Sequence, residues 1–309
     1  MITEVTDILR RLLALLAAIG GLAQGSAHYG PAQFPQYAAL TAAEAVYTDS
    51  AYVGPNAVVT LERHGQPDAA LGSAYILADI YLPDVHMLRT YYMDSPDDGL
   101  GGLAEISDMS RHVGAAYAVN GDFYGEYSGK TVVRNGVRIA QFVNSYDLCV
   151  LYEDGSMETF PHSSLGSNAA LERALENAWQ VWSFGPALLR SDGTAIEDFS
   201  AIVPEFINER HARTCIGYYA PGHYCILTVA GYFDGMPGVT LEELSRFFQE
   251  RGCIRAYNLD GGTSTHIWFR DREIGWPVKP ELLSDLIYIE DFGPGGNESS
   301  PVPPAEGDR

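Results

Sequence analysis

Three turn signals, Asn135-Gly136, Asp154-Gly155 and Pro221-Gly222, each stand between two short runs of β-type residues. Asn-Gly and Asp-Gly supply the left-handed backbone that tight hairpins need, and a Pro-Gly turn likewise folds flanking strands together. The middle of the chain therefore reads as antiparallel sheet. Two further runs, 73–82 and 85–93, flank Pro83-Asp84 and are expected to form an early hairpin. Helices interrupt this pattern. In "LAEISDMSRHVG" (103–114) Ile106, Met109 and Val113 share one face ahead of a glycine C-cap. A second helix is expected over "NAALERALENAWQVW" (168–182). A third follows Thr240, with Glu243 at capping-box spacing and a terminal glycine at 252. Strand runs mixed with a few helices argue for an α+β fold rather than a regular βαβ array. No composition break divides residues 52–292, and a chain of 309 residues that is 46% hydrophobic can bury a large core. The expectation is a single domain of mixed, largely antiparallel sheet with a few packed helices.

The two ends read differently. Arg10 and Arg11 precede an apolar stretch from Leu12 to Ala23, with small residues at Gly25 and Ala27. Residues 1–28 thus have the layout of a secretory signal peptide, while Glu4 and Asp7 leave an ordinary N-terminal helix as the competing reading. Twelve apolar residues rise only about 18 Å as a helix, too short for a bilayer core of about 30 Å, so no stable transmembrane span is expected there. Export would place the protein outside the cell or on its surface. Residues 29–51 read as a linker, and the Pro-, Gly- and acid-rich 293–309 as a disordered tail. Forty acidic residues against nineteen basic give a net charge of -21, which opposes binding to nucleic acid. Cys149, Cys215, Cys225 and Cys253 include no Cys-x-x-Cys pair, so a cysteine zinc site is not expected. Export would permit a disulfide between Cys215 and Cys225, with two buried thiols as the simpler expectation.

"AYAVNGDFYGEYSG" and "AYNLDGGTST" have a common shape: an apolar strand, then Asn, Asp and glycine where side chains can face a cleft. Turn chemistry alone accounts for either motif. Together they suggest carboxylates at Asp122 and Asp260 beside Asn120, with Gly261 and Gly262 offering backbone N–H groups in an anion nest and Thr263, Ser264 and Thr265 adding hydroxyls. His211 and Arg213 lie immediately before another apolar strand. Arg suits a phosphate or carboxylate, and His exchanges protons near neutral pH; two basic residues in a surface loop are the plain alternative. Asp122, Asp260 and the Asn120 carbonyl would also suit a hard cation such as Ca²⁺ or Mg²⁺, although nothing in the sequence requires a cofactor.

In order and spacing, "AVNGDFYG", "SFGPALLRSDG", "ARTCIGYY" and "GVTLEELSRFFQERGCIRAYNLDGGTST" resemble the phosphodiester glycosidase family, over a span from Ser73 to Phe292. The resemblance implies one cleft lined by Asn120, Asp122, Arg213, Asp260, Gly261, Gly262 and Ser264, with His211 beside the Arg-Thr motif. Thr263 departs from the family where many members have a third glycine, and Cys215 where they commonly have alanine. The implied activity is hydrolysis between a sugar anomeric carbon and a phosphodiester, on a carbohydrate or sugar-phosphate substrate. In that scheme Arg213 clamps the phosphate and Asp122 and Asp260 act at the anomeric centre. A non-catalytic glycan-binding or exopolysaccharide-associated protein and an ordinary glycoside hydrolase remain the alternatives on the same fold.

Overall fold

The structure, a computed structural model, describes residues 32–67, 71–93, 102–123, 129–143, 146–200, 202–203 and 205–291. The expected signal peptide and tail lie outside these residues. Numbered in chain order, the strands of the described residues form three sheets. The first runs β1 (Val46–Tyr47), β2 (Ala51–Val53), β3 (Val58–His64), β4 (Tyr75–Tyr81), β13 (His223–Val229), β12 (Arg213–Ala220), β14 (Arg255–Asn258). The second runs β10 (Met157–Phe160), β9 (Leu148–Tyr152), β11 (Ala178–Ser183), β7 (Val132–Arg134), β8 (Val137–Ala140). The third runs β16 (Arg272–Ile274), β15 (Ile267–Phe269), β6 (Ala115–Asn120), β17 (Asp285–Glu290), β5 (Arg89–Tyr92). Neighbouring strands within each sheet pair antiparallel, as at β12–β13, β9–β11 and β6–β17. The α+β expectation is met.

Period-two alternation explains how these sheets pack. Along β13, Tyr224 and Ile226 enter a central core, whereas Cys225, Leu227 and Val229 enter a second cluster on the opposite face. Strand β9 divides likewise, with Cys149 and Leu151 central and Leu148 and Val150 outward. Each sheet gives one face to the common core and covers the other with a helix. Helix α5 (Leu241–Glu250) packs Leu244, Phe247 and Phe248 outside the first sheet, α3 (Asn168–Ala174) packs Leu171 and Ala174 outside the second, and α2 (Ile106–His112) packs Ile106 and Met109 outside the third. Full burial of each large apolar side chain contributes about 1.5–3 kcal/mol. Both sheet faces are thus dry, which is why the strands read as nearly continuous apolar runs.

Local signals hold where the chemistry is local. Asn135 (φ 51) and Gly136 (φ 79) turn β7 into β8, and Gly222 (φ 82) turns β12 into β13. Thr240 caps α5 with the expected box: its hydroxyl accepts from Glu243 N at 3.3 Å, and the Glu243 carboxylate accepts from Thr240 N at 3.0 Å.

Three expectations are corrected, and for the cysteines the simpler of two readings holds. Strands β4 and β5 form no hairpin. Asp84 accepts from His86 N at 2.9 Å and starts a 3₁₀ turn over Val85–Met87, whose buried Val85 and Met87 carry the chain into another sheet. The second helix is shorter than expected: it ends at Ala174, and Asn177 (φ 58) swings the chain so that Trp179, Val181 and Trp182 extend as β11. The described part of the expected linker belongs to the fold, with Phe34 and Leu40 buried and β1 paired to β2. Cys215 and Cys225 are not opposed, since Cys215 pairs with Leu227, and all four cysteines are buried free thiols. Among the described residues no helix is long and apolar enough to cross a membrane.

Candidate active site

The three sheets meet at the ends of β6, β7, β11, β14 and the start of β17. Strand β14 runs into Leu259 and Asp260, whose backbone N–H groups donate to Thr214 O at 2.9 Å and Gly121 O at 3.2 Å. Asn120, buried at the end of β6, completes the seam. Its Nδ2 donates to Asp260 O at 2.7 Å, while its Oδ1 accepts from the Thr214 hydroxyl at 2.7 Å and His266 N at 3.4 Å. Asn120 therefore fixes the backbone under Asp260.

Asp122 lies wholly inside. One carboxylate oxygen accepts from Arg134 Nη2 at 2.5 Å and the other from Ser183 N at 2.6 Å. The same Arg134 Nη2 reaches Asp285 Oδ2 at 3.1 Å, and all three side chains are essentially unexposed. Asp285 also accepts from the N–H groups of Asp122 (3.4 Å) and Phe123 (3.3 Å). This close approach requires Gly121, where a Cβ would fall 2.0 Å from Asp285 Oδ2. Lys130 Nζ closes the arrangement by donating to Asp122 O at 2.5 Å and Phe123 O at 2.9 Å. Aromatic rings of Phe184 and Tyr146 lie 5.4 and 5.6 Å from its ammonium.

Burial dominates the electrostatics. It pushes the Asp285 carboxyl up to about 7, reinforced by the Asp122 charge and opposed by Arg134 and Lys130. It pushes Asp260 up to about 6, against hydrogen bonding from Ser264 and the Gly261 N–H and against the Lys130 charge. The Lys130 ammonium is lowered by the same loss of water. Asp260 differs from Asp122 and Asp285 in being partly exposed, as are Gly261, Gly262, Thr263 and Ser264. It is the carboxylate of this cluster that a substrate can reach.

The glycine-rich loop and Arg213 have most of their donors engaged within the fold. In the glycine-rich loop four N–H groups are engaged: Gly261 N donates to Asp260 Oδ1 (2.8 Å), Gly262 N to Ala212 O (2.8 Å), Ser264 N to Gly261 O (3.1 Å) and Thr265 N to Gly262 O (3.3 Å). The loop closes on itself as a 3₁₀ turn over Gly262–Ser264, with Thr265 buried beneath. Arg213 is brought near but turned away from a clamping pose. Its Nη2 donates to Ile207 O at 2.6 Å and Glu209 O at 3.0 Å, and its Nε to Val239 O at 3.4 Å, which ties the 207–209 segment to β12. His211 stands at the rim, where its Nδ1 and the Tyr232 hydroxyl are joined by a 2.6 Å hydrogen bond. Of the groups expected to hold a hard cation, Asp122 is engaged by Arg134 and Ser183, Asn120 Oδ1 by Thr214 and Asp260 Oδ1 by the Gly261 N–H. Among the described residues no group of three His, Cys, Asp or Glu is placed to hold a metal ion.

Lys130, Arg134, Asp285 and Tyr232 escaped the sequence reading. Arg134 and Asp285 carry a detectable signal, a charge abutting the apolar runs "TVV" and "LIYI". A charge buried in a strand needs a partner, but the sequence does not say which. Lys130 abuts "TVV" as well, while Tyr232 sits in a turn-rich segment without such a mark.

A family model described as phosphodiester glycosidase matches residues 113–289, more than half the chain, and spans every residue of the cluster from Asn120 to Asp285. The N-acetylglucosamine-1-phosphodiester alpha-N-acetylglucosaminidase of Bos taurus is 27% identical over 197 residues, 57% of this chain and 36% of its own length. The SPbeta prophage-derived uncharacterized protein YomE of Bacillus subtilis (strain 168) is 26% identical over 119 residues, 38% of this chain and 18% of its own length. The chain thus spans only a minor part of these curated relatives. Among solved structures, the catalytic domain of the zebrafish N-acetylglucosamine-1-phosphodiester alpha-N-acetylglucosaminidase, auto-inhibited by its pro-peptide, superposes with a TM-score of 0.57 at 16% identity, covering 76% of this chain and 83% of that one. A hypothetical protein from Synechocystis gives 0.58 at 13% identity, covering 76% and 62%. At such identities the structures speak for the fold. With the family model covering the whole carboxylate cluster, the chain belongs to the phosphodiester glycosidase family.

Proposed function

We propose that this protein hydrolyses the bond between a sugar anomeric carbon and a phosphodiester, with Asp260 as the reacting carboxylate. The observation that carries the reading is the contrast among the acids: Asp122 and Asp285 are sealed against Arg134, while Asp260 is partly exposed with a carboxyl pushed up to about 6. A base poised near the working pH is efficient. Asp260 takes a proton from water as the water attacks the anomeric carbon, and the phosphate departs with the bonding electrons. A sugar and a phosphomonoester result. The leaving group is already stable as an anion and needs no proton donor, so one accessible carboxylate suffices where an ordinary glycoside needs an acid as well.

The phosphodiester must approach an acidic region, and Lys130 together with Arg134 offsets the carboxylates there. The charges of Lys130 and Asp260 act on each other directly. Asn120 holds the Asp260 backbone and the Gly261 N–H holds one of its oxygens, so the carboxylate is preorganised.

The test is sugar release from a panel of sugar-1-phosphodiesters and, in parallel, aryl glycosides, by the wild-type protein and Asp260→Asn. Release from the phosphodiesters alone, abolished by the substitution in protein that stays folded, is the expected result. Cleavage of the aryl glycosides instead, or undiminished release by Asp260→Asn, would overturn it.

A further inference from the structure

Tyr232 combines three features that the hydrolytic site does not explain. Its backbone is left-handed at φ 67, the residue is 48% exposed, and the next, Phe233, is 39% exposed. Single exposed aromatics need no account, but these are the only adjacent pair among the large exposed apolar side chains of the described residues. A bulky residue at positive φ is an outlier, and it persists only where the surroundings hold it.

Those surroundings are visible. Phe233 and Met236 exchange backbone hydrogen bonds of 3.3 and 2.9 Å around Gly235 (φ 76), which closes the turn behind Tyr232. The hydroxyl of Tyr232 is pinned by the 2.6 Å hydrogen bond to His211 Nδ1, and the two rings meet nearly edge-on at 68°. His211 is in turn fixed by its bridge to Val239, whose N–H donates to His211 O at 3.0 Å. Gly238 permits that bridge, since a Cβ there would lie 2.4 Å from His211 O. The pinned hydroxyl stands over the Asp260 loop: a Cβ on Gly262 would be 3.3 Å from it. An aromatic side chain on a left-handed backbone is thus tethered at the rim of the site, exposed to solvent and with its hydroxyl over Gly262 of the Asp260 loop.

We infer that Tyr232, fixed by His211, is the platform for the pyranose ring whose anomeric carbon is presented to Asp260. The inference rests on the Asp260 reading for the orientation of the sugar. A pyranose has an apolar face of C–H bonds and a rim of hydroxyls. An exposed tyrosine ring beside polar groups matches both, and a ring held in place before binding avoids the entropy of ordering it. Tyr232 and Phe233 then select for a six-membered ring lying flat, and His211 acts as a positioning residue through Tyr232.

Saturation-transfer NMR with methyl pyranosides tests the platform without turnover, on wild type, Tyr232→Ala, Tyr232→Phe and Asp260→Asn, alongside KM and kcat for the phosphodiesters. The expected pattern is transfer to the pyranose C–H protons in wild type and Asp260→Asn and its loss in Tyr232→Ala. KM should rise on the order of tenfold in Tyr232→Ala, with a smaller rise in Tyr232→Phe, which keeps the ring but loses the tether. Loss of transfer in Tyr232→Ala supports the platform even if no phosphodiester is hydrolysed. Hydrolysis with unchanged KM in a folded Tyr232→Ala, or no pyranoside signal in wild type, overturns the platform whatever becomes of the hydrolytic reading.

Discussion

Replacing Arg134 by Met tests the electrostatic core of the site most directly. Its Nη2 serves Asp122 at 2.5 Å and Asp285 at 3.1 Å, and the three side chains are 0–1% exposed. Methionine keeps much of the volume but leaves two carboxylates facing each other without water. Removing one partner of a buried pair costs about 3–5 kcal/mol. For a domain of this size each kcal/mol moves the thermal midpoint by about 2–4 °C, so the midpoint should fall by roughly 6–20 °C. Urea unfolding followed by circular dichroism at pH 8 supplies the free energy. Adding Asp285→Asn removes one of the stranded charges, so the double variant should be more stable than the sum of the single changes predicts, with a coupling of about 0.5–3 kcal/mol. At pH 5 the Arg134→Met defect should shrink, because Asp285 takes up a proton. A loss below about 1 kcal/mol at an unchanged urea slope, or strict additivity in the double variant, would refute the claim that Arg134 holds the acids together.

The remaining predictions concern titration, space and ions. Asp285 titrates near 7 in the fold against about 3.9 in an unfolded chain, so the folded state binds the proton more tightly. Its contribution is therefore greatest below about pH 4 and is lost as pH rises through about 7; the wild type should lose stability over that window relative to Asp285→Asn, and parallel pH curves would contradict this. Turnover should rise with pH through a limb near 6, set by deprotonation of Asp260, and Asp260→Asn should lower kcat by about 10²–10⁴ without lowering the urea midpoint. Gly121→Ala should displace the Asp285 carboxylate, reducing both stability and turnover, whereas an unaltered melting curve would show that the 2.0 Å approach is relieved at no cost. EDTA should leave turnover unchanged, since the Asp122 oxygens already serve Arg134 and Ser183; loss of activity restored by Ca²⁺ or Mg²⁺ would reverse that expectation.

What the sequence could and could not disclose divides by the range of the interaction. The hairpin at Asn135-Gly136, the glycine turn at 222 and the capping box at Thr240 are contests between a few neighbouring residues, and the chain settles them locally. The early hairpin across Pro83-Asp84 is not such a contest. The turn residues were legible, but whether β5 returns to β4 or joins β17 depends on a strand almost two hundred residues away. The shortening of the second helix followed the same rule, because burial of Trp182 in the central core and of Val181 beneath the 168–174 helix outweighed local helical preference.

Motif reading found the seam of the site, Asn120 with Asp260, because each sits at the end of an apolar strand that is recognisable alone. It did not disclose how Arg213 and the glycine loop are bonded: Arg213 donates to the Ile207, Glu209 and Val239 carbonyls, and Gly262 N reaches Ala212 O while its neighbours bond within the loop. The sequence by itself determined an antiparallel α+β domain and the motifs that mark its family. Only the tertiary structure decided that Arg134 from the second sheet joins Asp122 and Asp285 from the third, and that Asp260 from the first is left within reach. A buried charge is stable only beside its partner, and three sheets must pack before those partners meet.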